Sequence, residues 1–178
     1  MAFAISYPYL GVPPIGVVDA GKAVAGTVST TLKPTIPLGT IVHGVDPALG
    51  EGEFIFLAGA PSIGVGELCV YDGTTFAAVR CTTAPNQARP VAVALAAVTT
   101  GTNWGFFQIS GTAVVKKRTG VNFLAKVAVG VGSLGKLGAT AAGVEIENMR
   151  TANTASVLSA TTTVTVVMNR PHVQGRIN

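Results

Sequence analysis

The eleven residues 101–111, Gly-Thr-Asn-Trp-Gly-Phe-Phe-Gln-Ile-Ser-Gly, constrain the fold more than any other segment of the chain. They hold the single tryptophan, Trp104, and two of the seven phenylalanines, Phe106 and Phe107, in a chain with 6% aromatic residues. Strand side chains alternate between two faces, so Trp104 and Phe106 share one face and Phe107 lies on the other. A strand that is apolar on both faces is covered on both sides. We therefore predict that this segment is a central strand.

The composition indicates an all-β fold with many tight turns. The 178 residues are 48% hydrophobic and 11% charged, with 22 glycines and 10 prolines. This length forms one domain or two small ones, and the abundance of Val, Leu, Ile and Phe excludes a disordered chain. A surface with so few charges is either covered by further copies or by a larger assembly, or made of Thr, Ser, Gly and Asn.

Short strands at regular spacing predict a small β-barrel or sandwich core. In the first half, residues 50–52 predict a turn, Asp72-Gly73 predicts a hairpin turn, and residues 91–98 predict a buried strand. In the second half, residues 141–160 fit either a helix around residues 145–150 or a bent pair of strands. The β-branched run 161–168 predicts a strand that ends at residues 169–172.

We divide the chain into three parts: an extended N-terminal arm (residues 1–36), a β-barrel module (residues 37–118), and a second β-rich module or continuation of the barrel (residues 119–178). The arm is rich in proline, which favours extended backbone, and either crosses a neighbouring subunit or wraps on its own barrel. Gly-Val-Gly-x-Leu occurs at residues 64–68 and 130–134 and suggests two related β modules.

The residues that could carry chemistry do not form a recognisable motif. Loops of two or four residues at the Asp72 turn place Cys69 opposite Phe76 or Ala78, never opposite Cys81, which predicts two buried free thiols. The two cysteines and the distant His43 and His172 lack metal-ligand spacing. His43 and Asp46 lie near each other in sequence, but no nucleophile motif accompanies them. We assign no catalytic, metal, cofactor or binding residue and predict that the protein is not an enzyme.

The charges are unevenly distributed along the chain. Two basic residues stand against six acidic ones up to Val79, a net charge of −4, and ten stand against two from Arg80 onward, a net charge of +8. Opposite net charges on the two halves favour head-to-tail or layered packing between copies. Alternatively, both halves mix in one fold and the asymmetry disappears in space. The cluster Lys116-Lys117-Arg118 fits a contact with an acidic partner or nucleic acid, or a solvated hairpin end. Aromatic residues do not interleave with it, so we expect no direct nucleic-acid binding.

Targeting signals are not evident in the sequence. Residues 1–10 lack the basic start of a signal peptide, and no apolar run reaches the roughly 18 residues of a membrane helix. We expect synthesis in a cytoplasm and no membrane contact.

Three segments carry a resemblance to a known family: Gly-Val-Gly-Glu-Leu-Cys-Val-Tyr-Asp-Gly (64–73), Ala-Val-Ala-Leu-Ala (92–96) and Trp-Gly-Phe-Phe-Gln-Ile-Ser-Gly (104–111). Together with the opening Leu38-Gly39 and the Thr/Val run that ends in Asn-Arg-Pro, they make the chain resemble the decoration, or cement, proteins of tailed-bacteriophage capsids. The resemblance is best over residues 38–115.

The resemblance implies a small β-barrel protein on the outer surface of the virion. Such a protein would bind the major capsid protein, stabilise the shell by bridging neighbouring capsid subunits, and form a homo-oligomer, with a trimer favoured and a dimer possible. It implies no cofactor. The alternatives are a tail, collar or fibre-base protein of a phage, or a carbohydrate-binding β domain.

Overall fold

The computed structural model describes residues 4–5, 12–23, 32–99 and 103–175. The rest of the predicted arm, the first residues of the segment 101–111 and the last three residues of the chain lie outside the described ranges. The described chain is all-β, as predicted, and contains no helix. Its thirteen strands are β1 (Ala4–Ile5), β2 (Lys22–Ala23), β3 (Leu32–Lys33), β4 (Ile41–Asp46), β5 (Gly50–Gly59), β6 (Leu68–Tyr71), β7 (Ala77–Arg80), β8 (Val91–Ala94), β9 (Trp104–Lys116), β10 (Ala128–Ser133), β11 (Lys136–Gly138), β12 (Glu145–Thr151) and β13 (Thr163–Val173).

Eleven of these strands form one sheet in the order β1-β4-β5-β7-β6-β8-β9-β13-β12-β10-β11. An additional pairing between β5 and β9 closes the five strands β5, β7, β6, β8 and β9 into a ring. The pairing of β5 with β7 is parallel, and the other four pairings of the ring are antiparallel. Strands β2 and β3 form a separate two-stranded sheet.

Strand β9 is the centre of the fold, as the sequence predicts. Its first half pairs with β5 and β8, and its second half pairs with β13. Phe107 and Ile109 lie in the core inside the ring, whereas Phe106 packs in a second cluster with Phe54 on the outer side. The predicted division of faces is therefore confirmed. Trp104 is only half-buried, so the phenylalanines, each about 1% exposed, are the main anchors of this strand.

Gly111 marks the point where β9 passes from one half of the fold to the other. Its φ is +93°, and a Cβ there would overlap the carbonyl oxygen of Glu51, so the crossing requires glycine. The fully buried Gln108 side chain donates hydrogen bonds to the carbonyl oxygens of Ser110 (3.0 Å) and Thr112 (2.9 Å). This amide therefore satisfies backbone acceptors on both sides of the glycine.

The second half of the fold extends the sheet from β9 through β13, β12 and β10 to β11. β11 then returns to the end of β9, where Lys117 and Leu137 form a parallel bridge and the Arg118 amide donates to the Leu137 carbonyl at 2.8 Å. The largest core cluster contains residues of both halves, among them Leu68 and Val93 from the ring and Val129 from β10. The predicted boundary at residue 118 thus crosses a shared core, and the residue ranges of the domains stay predictions.

The described parts of the N-terminal segment lie against the chain's own sheet. β1 pairs with β4, and Asp19 forms a bridge with Trp104 at the start of β9. The buried Asp19 carboxylate accepts hydrogen bonds from the amides of Gly21 and Thr35 and from the Thr35 hydroxyl, each at 2.8 Å. These residues pack on their own chain, which is the second of the two predicted alternatives. Contact of the arm with a neighbouring subunit stays a prediction.

The helix alternative for residues 145–150 is wrong. This segment is β12, which pairs with β10 on one side and β13 on the other. Helix propensity is a weak preference, and the ladder bonds available between two strands override it. β13 also runs past its predicted end to Val173, because Val173 pairs with Ile146 and Pro171 is buried.

Two predicted turns are displaced. Residues 50–52 belong to β5, and the turn precedes them, where the Asp46 carboxylate accepts the amides of Ala48 and Leu49. The hairpin at Asp72 has a longer loop than the two registers considered, so Cys69 pairs with Arg80 instead of Phe76 or Ala78. The Asp72 carboxylate accepts the amides of the two residues that follow Gly73, which stabilises the longer loop.

Candidate interaction face

One side of the sheet is open to solvent across six neighbouring strands. The exposed or half-buried side chains on this open face come from β4, β5, β9, β13, β12 and β10. The other side of β9 (from Ala113), β13 and β12 packs into the largest core cluster through Ala113, Val166 and Met149. On β4 and β5 the opposite side packs through Val42 and Phe54. The open face is therefore the outer surface of an otherwise buried sheet.

Directly opposed residues on antiparallel strands share a face, which allows the open face to be traced strand by strand. Glu51 opposes Val45, Val167 opposes Thr112 and Arg150, and Arg150 opposes Ala128. Gly52 pairs with Gly111, so Glu51 and Thr112 are the next neighbours along that ladder. We call this line the cross-strand row; in order it consists of Val45, Glu51, Thr112, Val167, Arg150 and Ala128.

The second and fifth residues of the cross-strand row carry opposite charges. Glu51 is exposed on β5, and Arg150 is exposed on β12, three strands away. Strands are about 4.8 Å apart, so the two positions are about 14 Å apart, beyond the roughly 8–10 Å over which exposed charges act at physiological salt. Neither residue takes part in an ion pair within the described chain. Val45 and Val167, 40% and 44% exposed, supply apolar surface.

A neighbouring line of residues on the same face is engaged internally. Arg170 donates from Nε to Glu53 Oε2 at 3.1 Å and from Nη2 to Oε1 at 3.3 Å. This hydrogen-bonded carboxylate raises the pKa of Arg170. His43 Nε2 lies 4.0 Å from Glu53 Oε1, whereas Asp46 is buried and caps its own turn. The His43 and Asp46 that are close in sequence therefore point to different surroundings.

A double bulge interrupts the open face beside Arg150. The registers of β12 with β13 and of β10 with β12 both shift around Asn148. Lys126, Asn148 and Arg170 all adopt positive φ, of 55°, 60° and 44°, a conformation that costs roughly 1–2 kcal/mol for a residue with a side chain. Two shallow depressions of about 310 and 380 Å³ open here and share Asn148 and Arg150. The bulge therefore gives the basic end of the face a concave surface.

Both lysines of the basic cluster at residues 116–118 are engaged by other residues of the fold, whereas Arg118 is exposed. Lys116 Nζ lies 3.1 Å from Oε1 of the largely buried Glu67. Lys117 is about 1% exposed, and its ammonium donates to the carbonyl oxygens of Val121 (2.8 Å), Arg118 (3.4 Å) and Ser159 (3.4 Å). Burial lowers the pKa of the Lys117 ammonium. Both lysines thus stabilise the fold from within.

Three acidic residues of the first half are engaged by other residues of the chain. Glu67 pairs with Lys116, and Glu53 pairs with Arg170. Asp19 is held by backbone and hydroxyl donors. Two salt bridges therefore join acidic residues of the first half of the sequence to basic residues of the second half, so the two halves mix in one fold. Glu51 and Arg150 are among the charged residues that stay exposed and outside these salt bridges.

Both cysteines are buried free thiols, as predicted. Cys69 points into the ring, and Cys81 belongs to the cluster on the other side of the same strands. Burial raises the pKa of the Cys69 thiol, with a further contribution from nearby Cys81, and raises that of Cys81 to about 12. Two cysteines on opposite faces of a sheet cannot be bridged without moving the backbone.

His172 lies on β13, where its Nε2 is 2.9 Å from the Glu147 carboxylate, and both side chains are close to half exposed. Within residues 4–5, 12–23, 32–99 and 103–175, no group of three or more His, Cys, Asp or Glu residues could hold a metal ion. The same part of the chain has no helix long and apolar enough to cross a membrane.

The fold and the open face define an all-β protein built around a closed ring of five strands. No protein-family model matches the chain, and a search of curated proteins finds no significant match. Sequence reasoning missed the open face because the pairing of its six strands fixes which side chains share it. The sequence of β4 gives no local signal of the face, because the exposed Ile41 and Val45 are apolar and the buried Asp46 is acidic.

Proposed function

We propose that this protein is a structural component of a tailed-phage particle that binds the outer surface of the capsid and bridges neighbouring major capsid proteins. The main support for this proposal is the position, in the fold, of the three segments that resemble decoration proteins. The three segments that resemble decoration proteins contribute to β6, β8 and the first half of β9, which are adjacent strands in the ring. The residues that resemble the family therefore form one contiguous part of the structure.

A mechanical role also suits the way the sheet is built. β9 is thirteen residues long and belongs to both halves of the fold, and it is anchored by fully buried aromatic side chains. Internal ion pairs such as Glu67–Lys116 tie the halves together. A body of this kind transmits load between bound capsid subunits with little deformation, because close-packed interiors have low compressibility. Many weak contacts repeated over a shell add up through multivalency.

The copy number of the chain in purified particles tests this function. Quantitative mass spectrometry against the major capsid protein should give a simple ratio to that protein. Shells that lack the chain should bind added protein until the same ratio is reached, and the decorated shells should survive higher temperature than bare ones.

Two outcomes would redirect the assignment. A copy number that matches a single ring would move the protein to the tail, collar or fibre base. Absence from particles would refute the virion role and leave the carbohydrate-binding alternative, which a glycan array can test directly.

A further inference from the structure

We propose that the open face pairs with the same face of a second copy of this chain, about a two-fold axis that runs parallel to the strands between β9 and β13. The inference rests on the cross-strand row. When the row of one copy is laid against the row of a second copy in the opposite order, apolar residues face apolar residues, the acidic residue faces the basic one, and the threonine faces a valine. Self-pairing through this face does not depend on the proposed role in a capsid.

The two-fold axis fixes which residues meet. It reverses the order of the strands and keeps each residue at its height along the strand, so β5 lies over β12 of the second copy and β9 lies over β13. Glu51 then faces Arg150 of the second copy, Thr112 faces Val167, and Val45 faces Ala128. Each contact occurs twice, as in any isologous interface.

Pairing would supply what the single chain lacks. Within one chain Glu51 and Arg150 are three strands apart and belong to none of the ion pairs of the described residues. Face-to-face sheets pack about 10 Å apart, which brings long side chains of opposite charge into contact. Val167, 44% exposed in the single chain, would be covered beside the axis.

The size of the face fits a reversible dimer. Six strands at about 4.8 Å spacing span about 24 Å, and about six residues along each strand span about 20 Å. The resulting area is about 500 Å² per copy, or about 1,000 Å² in total, at the lower limit for a specific interface. Both copies twist with the same hand, as in aligned β-sandwiches, and a two-fold axis parallel to the strands keeps the central strands of the two copies aligned.

Charge reversal tests the pairing without touching the core. Sedimentation velocity over a range of concentrations should show a monomer–dimer equilibrium for the unmodified chain. Glu51→Arg alone, or Arg150→Glu alone, turns two attractive contacts per dimer into repulsive ones and should raise the dissociation constant by about tenfold or more. Lys136→Glu is the matched control for Arg150→Glu, because it makes the same charge change at an exposed position outside the cross-strand row and should leave the constant unchanged.

A mixture of the two charge-reversed variants gives the decisive test of the pairing. A Glu51→Arg chain carries arginine at both positions and an Arg150→Glu chain carries glutamate at both, so the heterodimer has two attractive contacts. The mixture should dimerise although neither variant does so alone at the same concentration, and circular dichroism should show both folded.

Failure of the mixture to dimerise would overturn the proposal. So would an unmodified chain that stays monomeric, forms a trimer, or dimerises regardless of both reversals. A monomer that binds capsid shells through Glu51 and Arg150 would also overturn self-pairing, while leaving the proposed function intact.

Discussion

Alkaline pH should destabilise the protein through its buried thiols, and the substitution Cys81→Ala should remove part of the effect. Cys81 is fully buried in the largest core cluster. Burial raises the pKa of its thiol to about 12, compared with about 8.5 in an unfolded chain. Between these values the unfolded chain loses a proton that the folded protein keeps. Stability therefore falls as pH rises, because the folded state binds more protons.

The magnitude follows from the difference between the two pKa values. The stabilisation is fully present below the unfolded pKa and declines by about 1.4 kcal/mol for each pH unit above it, until the folded thiol itself ionises. From pH 8 to pH 10 the loss for one thiol is about 2 kcal/mol. The pKa of Cys69 is also raised, mainly by burial, so its contribution has the same sign.

Guanidinium unfolding of the unmodified chain and the Cys81→Ala variant, in reductant across this pH range, measures the effect. The variant should be less stable at neutral pH because the lost sulfur leaves a cavity. The gap between the two proteins should narrow by about 2 kcal/mol by pH 10. Tyr71, with its raised pKa, titrates in both proteins and cancels in the difference. Cys69 cancels only in part, because Cys81 contributes to its raised pKa. A gap that stays constant would refute the reasoning.

Three further predictions concern stability at neutral pH, each measured by chemical unfolding. Lys117→Met should cost about 2–4 kcal/mol, since it removes the buried charged donor of three partly buried hydrogen bonds; a loss below about 1 kcal/mol would contradict the role given to this lysine. Phe106→Ala should cost about 3–5 kcal/mol and Trp104→Ala clearly less, because only the phenylalanine is fully buried, and the reverse order would be inconsistent with the packing. Ala88→Gly should stabilise by up to about 1 kcal/mol, because Ala88 has a φ of +47°. The same change at exposed Ala97, which is not among the positive-φ residues, should destabilise.

The strands that could be predicted are those whose own residues determine their environment. β9 carries large apolar side chains on both faces, so a buried central position was the only one compatible with its sequence. The β-branched run at the start of β13 likewise favours a strand in any context. The free cysteines were predicted correctly although both registers considered were wrong, because Cys69 and Cys81 lie on opposite faces in the observed register as well.

Where the prediction failed, contacts distant in sequence decided the outcome. Residues 145–150 have no strong preference of their own, and pairing with β10 and β13 makes them a strand. Lys117 belongs to a basic cluster for which the sequence allowed a solvated hairpin end. In the structure its ammonium donates hydrogen bonds to the carbonyl oxygens of Val121 and Ser159, which lie in two separate loops. Local sequence does not reveal which carbonyl oxygens will surround a side chain.

The sequence by itself determined the all-β class, the central strand and the reduced state of the thiols, because alternation and side-chain shape act over a few residues. Only the tertiary structure decided the closure of the ring, the internal pairing of Glu67 with Lys116, and the open face on which Glu51 and Arg150 stand apart. These features depend on strand order and register across residues that are separated by up to about half the chain. Ladder registers of this kind follow from the packing of the whole sheet.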